Sequence, residues 1–347
     1  MRVRTTGDAA VLDHLKTPSA IVGYLDQYVI GQEEAKRILA VAVYTHFRKV
    51  ARARRNAVPI AKSNVLLIGP TGTGKTLTCA TLARVLGVPF VTAEATSLAQ
   101  SRFVNDEIEA ILQRLLDGAD GDIDRAQHGI VFIDEIDKLK APGGEPRALS
   151  GESVQHALLK IMEGSMVRLP GGKYVDTSGV LFICGGAFVG LDRIASQSHT
   201  YGYISTSKDD NPAILERLNA RVKPTDLFEF GLIPEFTGRL PITARFRDLS
   251  RDMLVRIMTE PRDSLYAQFR DLFAAEGAEL HVAREVFEQL ADLAIEYRTG
   301  ARSLRGLFEE LLAPVLYQLP DDPSIGKVVI ESLFAEPQLV RRGAAAT

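Results

Sequence analysis

At 347 residues, 46% hydrophobic and 24% charged, the chain has room for about two domains with a sizeable core and is too apolar to stay unfolded. Its net charge of −3 gives no general attraction to nucleic acid or to a membrane surface, and two cysteines, Cys79 and Cys184, make neither a disulfide framework nor a zinc cluster. No apolar run approaches the ~20 residues of a membrane helix, and the N-terminus, with Arg2, Arg4, Asp8 and Asp13, lacks an apolar signal core, so the chain reads as cytoplasmic.

Residues 1–18 read as a loose lead-in. After the stretch 22–32 a helix is expected through 33–44, followed by a basic run of Arg48, Lys49, Arg52, Arg54 and Arg55, which reads as a solvated helix end or a contact with a neighbouring subunit or acidic partner. Residues 64–68, Asn-Val-Leu-Leu-Ile, read as a strand, and Gly69-Pro70-Thr71-Gly72-Thr73-Gly74-Lys75-Thr76 follows, matching G-x-x-x-x-G-K-[ST] at every fixed position. Next comes a helical stretch in which Leu77, Ala80, Ala83 and Leu86 recur at helix spacing, with Gly87 as its stop. A strand–loop–helix of this kind cradles phosphates: the glycines let backbone N–H groups close on oxygens and the helix N-terminus adds positive partial charge. The nucleotide site therefore runs from Gly69 through Leu77, with Lys75 on the β- and γ-phosphates and the Thr76 hydroxyl on Mg²⁺.

A strand is expected at 88–93, then an interruption at Ser101-Arg102-Phe103-Val104-Asn105 and a helix over 106–116. Gly129-Ile-Val-Phe-Ile133 is apolar enough for a strand covered on both faces, and it ends in Asp134-Glu135. Carboxylates at the C-terminal edge of a parallel sheet stand where ligands bind. Asp134 is placed to hold Mg²⁺, and Glu135 to orient and deprotonate an attacking water. A Pro/Gly loop at 141–150 precedes a helix over 151–164, whose Val154, Ala157, Leu158 and Ile161 share a face. A buried strand is expected at 180–184, a polar loop at 196–210 and a last strand at 242–246. From Ser250, a good N-cap, the pattern turns helical. Leu254, Ile257 and Met258 mark one helix; Leu265, Phe269, Leu272 and Phe273 a second, with Pro261 in its first turn; 284–297 is a third, and a fourth begins near Ala301 with Leu304, Leu307, Leu311 and Leu312. A short strand comes at 327–330. The expected organisation is a lead-in (1–18), a large α/β ATPase domain (19–247), a small helical lid (248–335) and a tail (336–347).

The phosphate loop and Asp134-Glu135 alone establish only a P-loop ATPase. The stretches 28–32, 129–138, 150–164, 181–188, 231–241 and 299–305 resemble ClpX, the AAA+ unfoldase of the Clp protease, in colinear order over residues 17–331. The resemblance implies a five-stranded parallel αβα sheet with a helical lid, working as a ring homohexamer with ATP and Mg²⁺ at subunit interfaces and acting on unfolded or tagged proteins. It places Arg239 at the family's arginine finger, Arg302 at its lid-borne sensor, and Val29 and Ile30 at its adenine contacts. As bare features, Arg239 reads as a surface ion pair and Arg302 as a helix-start salt bridge. The polar sensor at the end of the fourth strand has no clear counterpart in Cys184-Gly185-Gly186.

Several features depart from the family pattern. No cysteine cluster stands for its N-terminal zinc-binding domain. The pore loop, Gly-Tyr-Val-Gly in the family, keeps only the pair Phe103-Val104; the second pore loop is shortened around Gly171-Gly172-Lys173-Tyr174; and Tyr201-Gly202-Tyr203-Ile204 stands where an Ile-Gly-Phe loop docks a ClpP-like peptidase. Four readings remain: an ATP-driven unfoldase, a remodeller uncoupled from proteolysis, a nucleotide-gated assembly factor, and a nucleic-acid motor. Intact Asp134-Glu135 and Arg239 argue against the assembly factor, and the net charge argues against the nucleic-acid motor.

Overall fold

The computed structural model describes residues 16–56, 62–101, 103–140, 151–198 and 222–342, without the side chains of 54–56 and 197–198. Residues 1–15, Arg102, residues 141–150 expected as a loop, the stretch 201–204 read against a docking loop and residues 343–347 lie outside the described residues. The chain divides into two compact units, one of Met1–Val22, Glu34–Gly69 and Lys75–Phe246, the other of Gly23–Glu33, Pro70–Gly74 and Arg247–Thr347.

The first unit is built on a five-stranded sheet. Its strands are β1 (Val65–Ile68), β2 (Phe90–Glu94), β3 (Ile130–Asp134), β6 (Leu181–Gly186) and β7 (Ile242–Arg245), in the order β2-β3-β6-β1-β7 and all parallel. Strands β1 and β6 are buried along their whole length, as a sheet covered on both faces requires. Ahead of the sheet come α1 (Pro18–Leu25), whose last residues group with the second unit, and α2 (Glu33–Asn56); among its strands run α3 (Lys75–Leu86), α4 (Ala95–Gln100), α5 (Val104–Asp117), α6 (Ile123–Ala126), α7 (Gly151–Glu163), α8 (Leu191–Ser198), α9 (Pro224–Phe230) and α10 (Pro234–Gly238). A hairpin of β4 (Met166–Arg168) and β5 (Tyr174–Asp176) spans the stretch read above as a shortened second pore loop and leaves Met166 and Tyr174 exposed.

Several expectations change. Helix α2 continues to Asn56 and so carries the basic run, where Lys49 donates to Ser63 Oγ at 2.9 Å. In α3 the core-facing residues are Cys79, Leu82, Ala83 and Leu86, while Leu77 is 44% exposed. The Leu77–Ala80 stripe fails because strand β3 and its neighbours cover the Cys79 side of the helix. Residues 196–198, read as loop, end α8.

The second unit packs α11 (Arg251–Thr259), α12 (Leu265–Ala275), α13 (Arg284–Glu296) and α14 (Leu304–Gln318) around Phe269, Phe273, Phe287 and Phe308. Ser250 caps α11, its hydroxyl accepting from Met253 N at 3.2 Å. Helix α12 is capped instead by Ser264, so Pro261 lies ahead of it, and Leu272 faces outward. The unit also holds a sheet, in the order β10-β9-β8, of β8 (Glu279–Val282), β9 (Ile325–Ile330) and β10 (Gln338–Arg341). Strand β10 falls within the stretch read as tail, and its four residues are all exposed, which is why no apolar pattern announced it.

On α2, His46 is buried and its Nε2 donates to the Gly179 carbonyl at 3.0 Å. Burial, reinforced by the like charges of Lys62, His128 and Lys49, pushes its pKa down to about 4. An unfolded chain takes up this proton below about 6.5, whereas the folded one resists until about 4. His46 therefore contributes stability that is present above pH 6.5 and is lost as pH falls from 6.5 towards 4. Urea unfolding across that range is expected to show a shallower loss of stability in His46→Gln, whose amide still donates but does not titrate.

Candidate functional site

Three segments of the first unit converge at the C-terminal edge of the sheet. Strand β1 ends at Ile68 and delivers Gly69; α3 begins at Lys75; β3 ends at Asp134. Lys75 is only 7% exposed, and its Nζ donates to the Gly69 carbonyl at 2.6 Å, so the ammonium is curled back over the loop. Thr76 Oγ1 donates to Asp134 Oδ2 at 3.4 Å, which brings the two residues expected at the metal together.

Glu135 takes up a left-handed backbone, φ 58° and ψ 30°. Such a conformation costs a non-glycine residue on the order of 1–3 kcal/mol and persists only where neighbours enforce it. Here Asp134 Oδ1 accepts from the Glu135 N–H at 2.8 Å, and the Glu135 carbonyl accepts from Lys138 N at 2.9 Å. The Glu135 side chain receives a hydrogen bond from Thr96 Oγ1 at 3.2 Å. That contact follows from register. Glu94 pairs with Asp134, so α4, which starts one residue later, sets Thr96 beside the residue that follows Asp134. Thr96 was missed because α4 is six residues long and carries no sequence signal of its own.

The crown of the phosphate loop, Pro70–Gly74, groups with the second unit. Gly72 has φ +79° there, and a side chain on it would collide with the Thr299 carbonyl; its own carbonyl accepts from Ala301 N at 3.2 Å. The turn before α14 thus rests on the loop crown, and Arg302, at the end of that turn, is exposed. Thr73 closes the crown by donating to the Pro70 carbonyl at 2.8 Å. Val29 and Ile30 are buried in the same unit, in a segment fixed by Gln32, which both donates to the Arg247 carbonyl and accepts from Arg247 N.

Three expected functional residues stand elsewhere. Arg239 follows α10, and its Nη2 pairs with Glu163 Oε1 at 2.5 Å in a half-exposed contact, the kind worth about 0–1 kcal/mol. Its backbone carbonyl accepts from Asn64 Nδ2 at 3.1 Å. Asn64 precedes β1, so Arg239 lies at the opposite edge of the sheet from Gly69. The pair Phe103-Val104 is split: Phe103 is 68% exposed, but Val104 opens α5 and is 8% exposed within the core, which corrects the expectation that both face a substrate.

Among the described residues no cluster of three or more His, Cys, Asp or Glu forms a metal site. Mg²⁺ in nucleotide sites needs none, because phosphates and waters complete its shell around one or two protein oxygens. Thr76 and Asp134, a hydroxyl and an acceptor-only carboxylate already converging, fit that role. Among the described residues no helix is long and apolar enough to cross a membrane.

The family model described as AAA domain (Cdc48 subfamily) matches residues 60–243, and the one described as the C-terminal, D2-small domain of ClpB protein matches residues 249–327. Relatives named ATP-dependent Clp protease ATP-binding subunit ClpX are similar along most of the chain. That of Methylococcus capsulatus, ClpX 3, is 45% identical over 91% of this chain and 79% of its own length. Those of Azotobacter vinelandii and Treponema denticola are 44% and 43% identical, over 90% and 94% of this chain and 76% and 84% of their own.

With Lys75 on the β- and γ-phosphates, as expected from the sequence, replacing it by Ala removes a charge-assisted contact worth about 1.5–3 kcal/mol. Titration with a fluorescent ATP analogue is expected to show affinity falling roughly 10- to 100-fold.

Proposed function

The chain belongs to the ClpX family of AAA+ unfoldase ATPases, and on that premise we propose that it works as a homohexameric ring in which ATP hydrolysis moves Phe103 along the axis and draws unfolded or tagged polypeptide through. The observation that carries the ring is the position of Arg239. From Asn64, which holds its carbonyl, to Gly69 is five residues of extended chain, roughly 17 Å at ~3.3 Å per residue. That exceeds the reach of an arginine, so the guanidinium has no phosphate to meet in its own subunit and is presented to a neighbour's.

Within each site the roles divide by chemistry. Backbone N–H groups of Gly69 to Thr76 cradle the phosphates, and Lys75 leaves the Gly69 carbonyl for the β- and γ-oxygens. Leu77, exposed at the start of α3, flanks the nucleotide, and Val29 and Ile30 contact the adenine. Thr76 and Asp134 would hold Mg²⁺, which when bound would supply positive charge against the phosphates. Glu135 draws a proton from water as the water oxygen bonds to the γ-phosphorus and the bond to the ADP oxygen breaks. Arg239 stabilises the charge that develops in the next subunit, and Arg302 reports nucleotide state to the second unit. The relatives are named as subunits of a Clp protease, and a ClpP-like peptidase is the corresponding partner here.

Two measurements test this reading. Glu135→Gln is expected to bind ATP as the wild type does while losing turnover, because an amide does not accept the water's proton; undiminished hydrolysis would remove Glu135 as the base. Arg239→Ala is expected to lower kcat roughly 10³-fold or more. Titrating Arg239→Ala subunits into Glu135→Gln subunits should give activity that varies non-additively with the ratio. A fully active monomer by light scattering would overturn the ring.

A further inference from the structure

Helix α7 meets the segment that carries Arg239 at both ends. Near its start is Gln155, 0% exposed and hydrogen-bonded on both sides of its amide. Its Oε1 accepts from Ile233 N at 2.8 Å, and its Nε2 donates to the Leu139 carbonyl at 3.0 Å. Ile233 is the N-cap of α10, the helix that Arg239 directly follows. Leu139 closes the short turn Ile136–Leu139 that begins directly after Asp134-Glu135. The last residue of α7 is Glu163, which pairs with the Arg239 guanidinium. Gln155 and Glu163 are eight residues apart, about 12 Å along a helix, so α7 runs beside the whole finger segment.

The end of α7 is itself held. Asn64 Nδ2 donates to the Met162 carbonyl as well as to that of Arg239, so one buried side chain ties helix end and finger together. Thr177 Oγ1 donates to the Ile161 carbonyl at 2.8 Å, and Lys62 Nζ to the Thr177 carbonyl at 2.7 Å. Glu163 thus stands on a fixed platform. Its contact engages Nη2, and the planar fork of a guanidinium carries further N–H donors for phosphate oxygens.

We infer that α7 is a splint for the finger, with Gln155 and Glu163 as positioning residues that set where Arg239 is offered to the neighbouring subunit. Gln155 takes its reference from the turn that follows this subunit's own Asp134-Glu135, which links the geometry of one hydrolytic site to the finger given to the next. The inference rests on reading Arg239 as a finger acting in trans.

The test is steady-state ATPase of the full chain carrying Gln155→Met, Glu163→Ala or Glu163→Gln, each alone and combined with Arg239→Ala. Gln155→Met keeps the volume and loses both hydrogen bonds. It is expected to lower kcat roughly 10- to 100-fold, the cost of misplacing a catalytic group by about an ångström. Glu163→Ala is expected to lower kcat up to about fivefold. KM for ATP should stay within about twofold in both, because the loss falls on the transition state. Glu163→Gln, whose amide oxygen still accepts from Nη2, should recover most of the Glu163→Ala loss. In the Arg239→Ala background neither position should cost anything further. Losses that multiply with Arg239→Ala, a KM that rises as far as kcat falls, or Glu163→Ala with wild-type kcat would each overturn the splint. Undiminished kcat in Arg239→Ala alone is a different result: it would remove the finger reading and the splint with it. Should Gln155→Met fail to fold by circular dichroism, the Glu163 pair decides alone.

Discussion

Strand β1 is hydrogen-bonded on both edges, to β6 and β7, and buried on both faces, so none of its four residues can shift without breaking two ladders. That constraint is transmitted to both of its ends. At the C-terminal end it fixes Gly69, and with it the start of the phosphate loop. At the N-terminal end it fixes Asn64, whose amide grips Met162 and Arg239. The same short strand therefore sets the phosphate loop on one edge of the sheet and, on the other, the position of Arg239, the proposed finger. The ring proposed above rests on this separation, since two edges a strand's length apart come together only between copies.

The catalytic edge shows a division between rigid and movable groups. Asp134 is held by the β2 pairing and by its bonds to the Glu135 N–H and the Thr76 hydroxyl. Glu135 is pinned in its backbone but not in its side chain. Its left-handed conformation turns the carboxylate off the strand, where one hydroxyl, Thr96, holds it. A single neutral hydrogen bond contributes about 0.5–1.5 kcal/mol net, little enough for the carboxylate to be re-aimed when a nucleotide and its water arrive.

The sequence made the central part of the architecture legible. The loop Gly69–Thr76, the run Ile130–Asp134 with Glu135, and Ser250 as a cap are local patterns whose physical causes lie within a few residues of each other. What stayed hidden depends on contacts between distant segments. Thr96 matters only because β2 and β3 pair in a particular register. Gln155 sits on a helix whose apolar stripe was visible, yet nothing local says that its amide is buried between Leu139 and Ile233. Val104 belongs to an aromatic–aliphatic pair by sequence and to the core by packing, since α5 starts two residues earlier than its charged residues suggest. Strand β10 has no apolar face to betray it, and β8 alternates over only four residues. Leu77 and Leu272 fit helical stripes but face solvent, because which of two overlapping stripes is buried is decided by the partner surface.

With Arg239 read as a finger, as proposed, its segment combines strong and weak contacts in a way that suits that chemistry. Its backbone is tied by buried groups, Asn64 at Arg239 and Gln155 at Ile233, whose hydrogen bonds are costly to break because an unpaired amide would be left without water. Its charged head is tied by a half-exposed pair with Glu163, which competing phosphate oxygens displace or share at little cost and which salt screens. A finger held firmly at the head would pay to leave its carboxylate each time the neighbour bound ATP. A finger loose in its backbone would spend binding energy on being ordered before it stabilised any charge. On that reading, firm backbone and weakly held guanidinium together keep Arg239 within reach of a neighbour's phosphate without committing it, and the residues that achieve this lie just ahead of β1 and on α7, not on the finger's own helix.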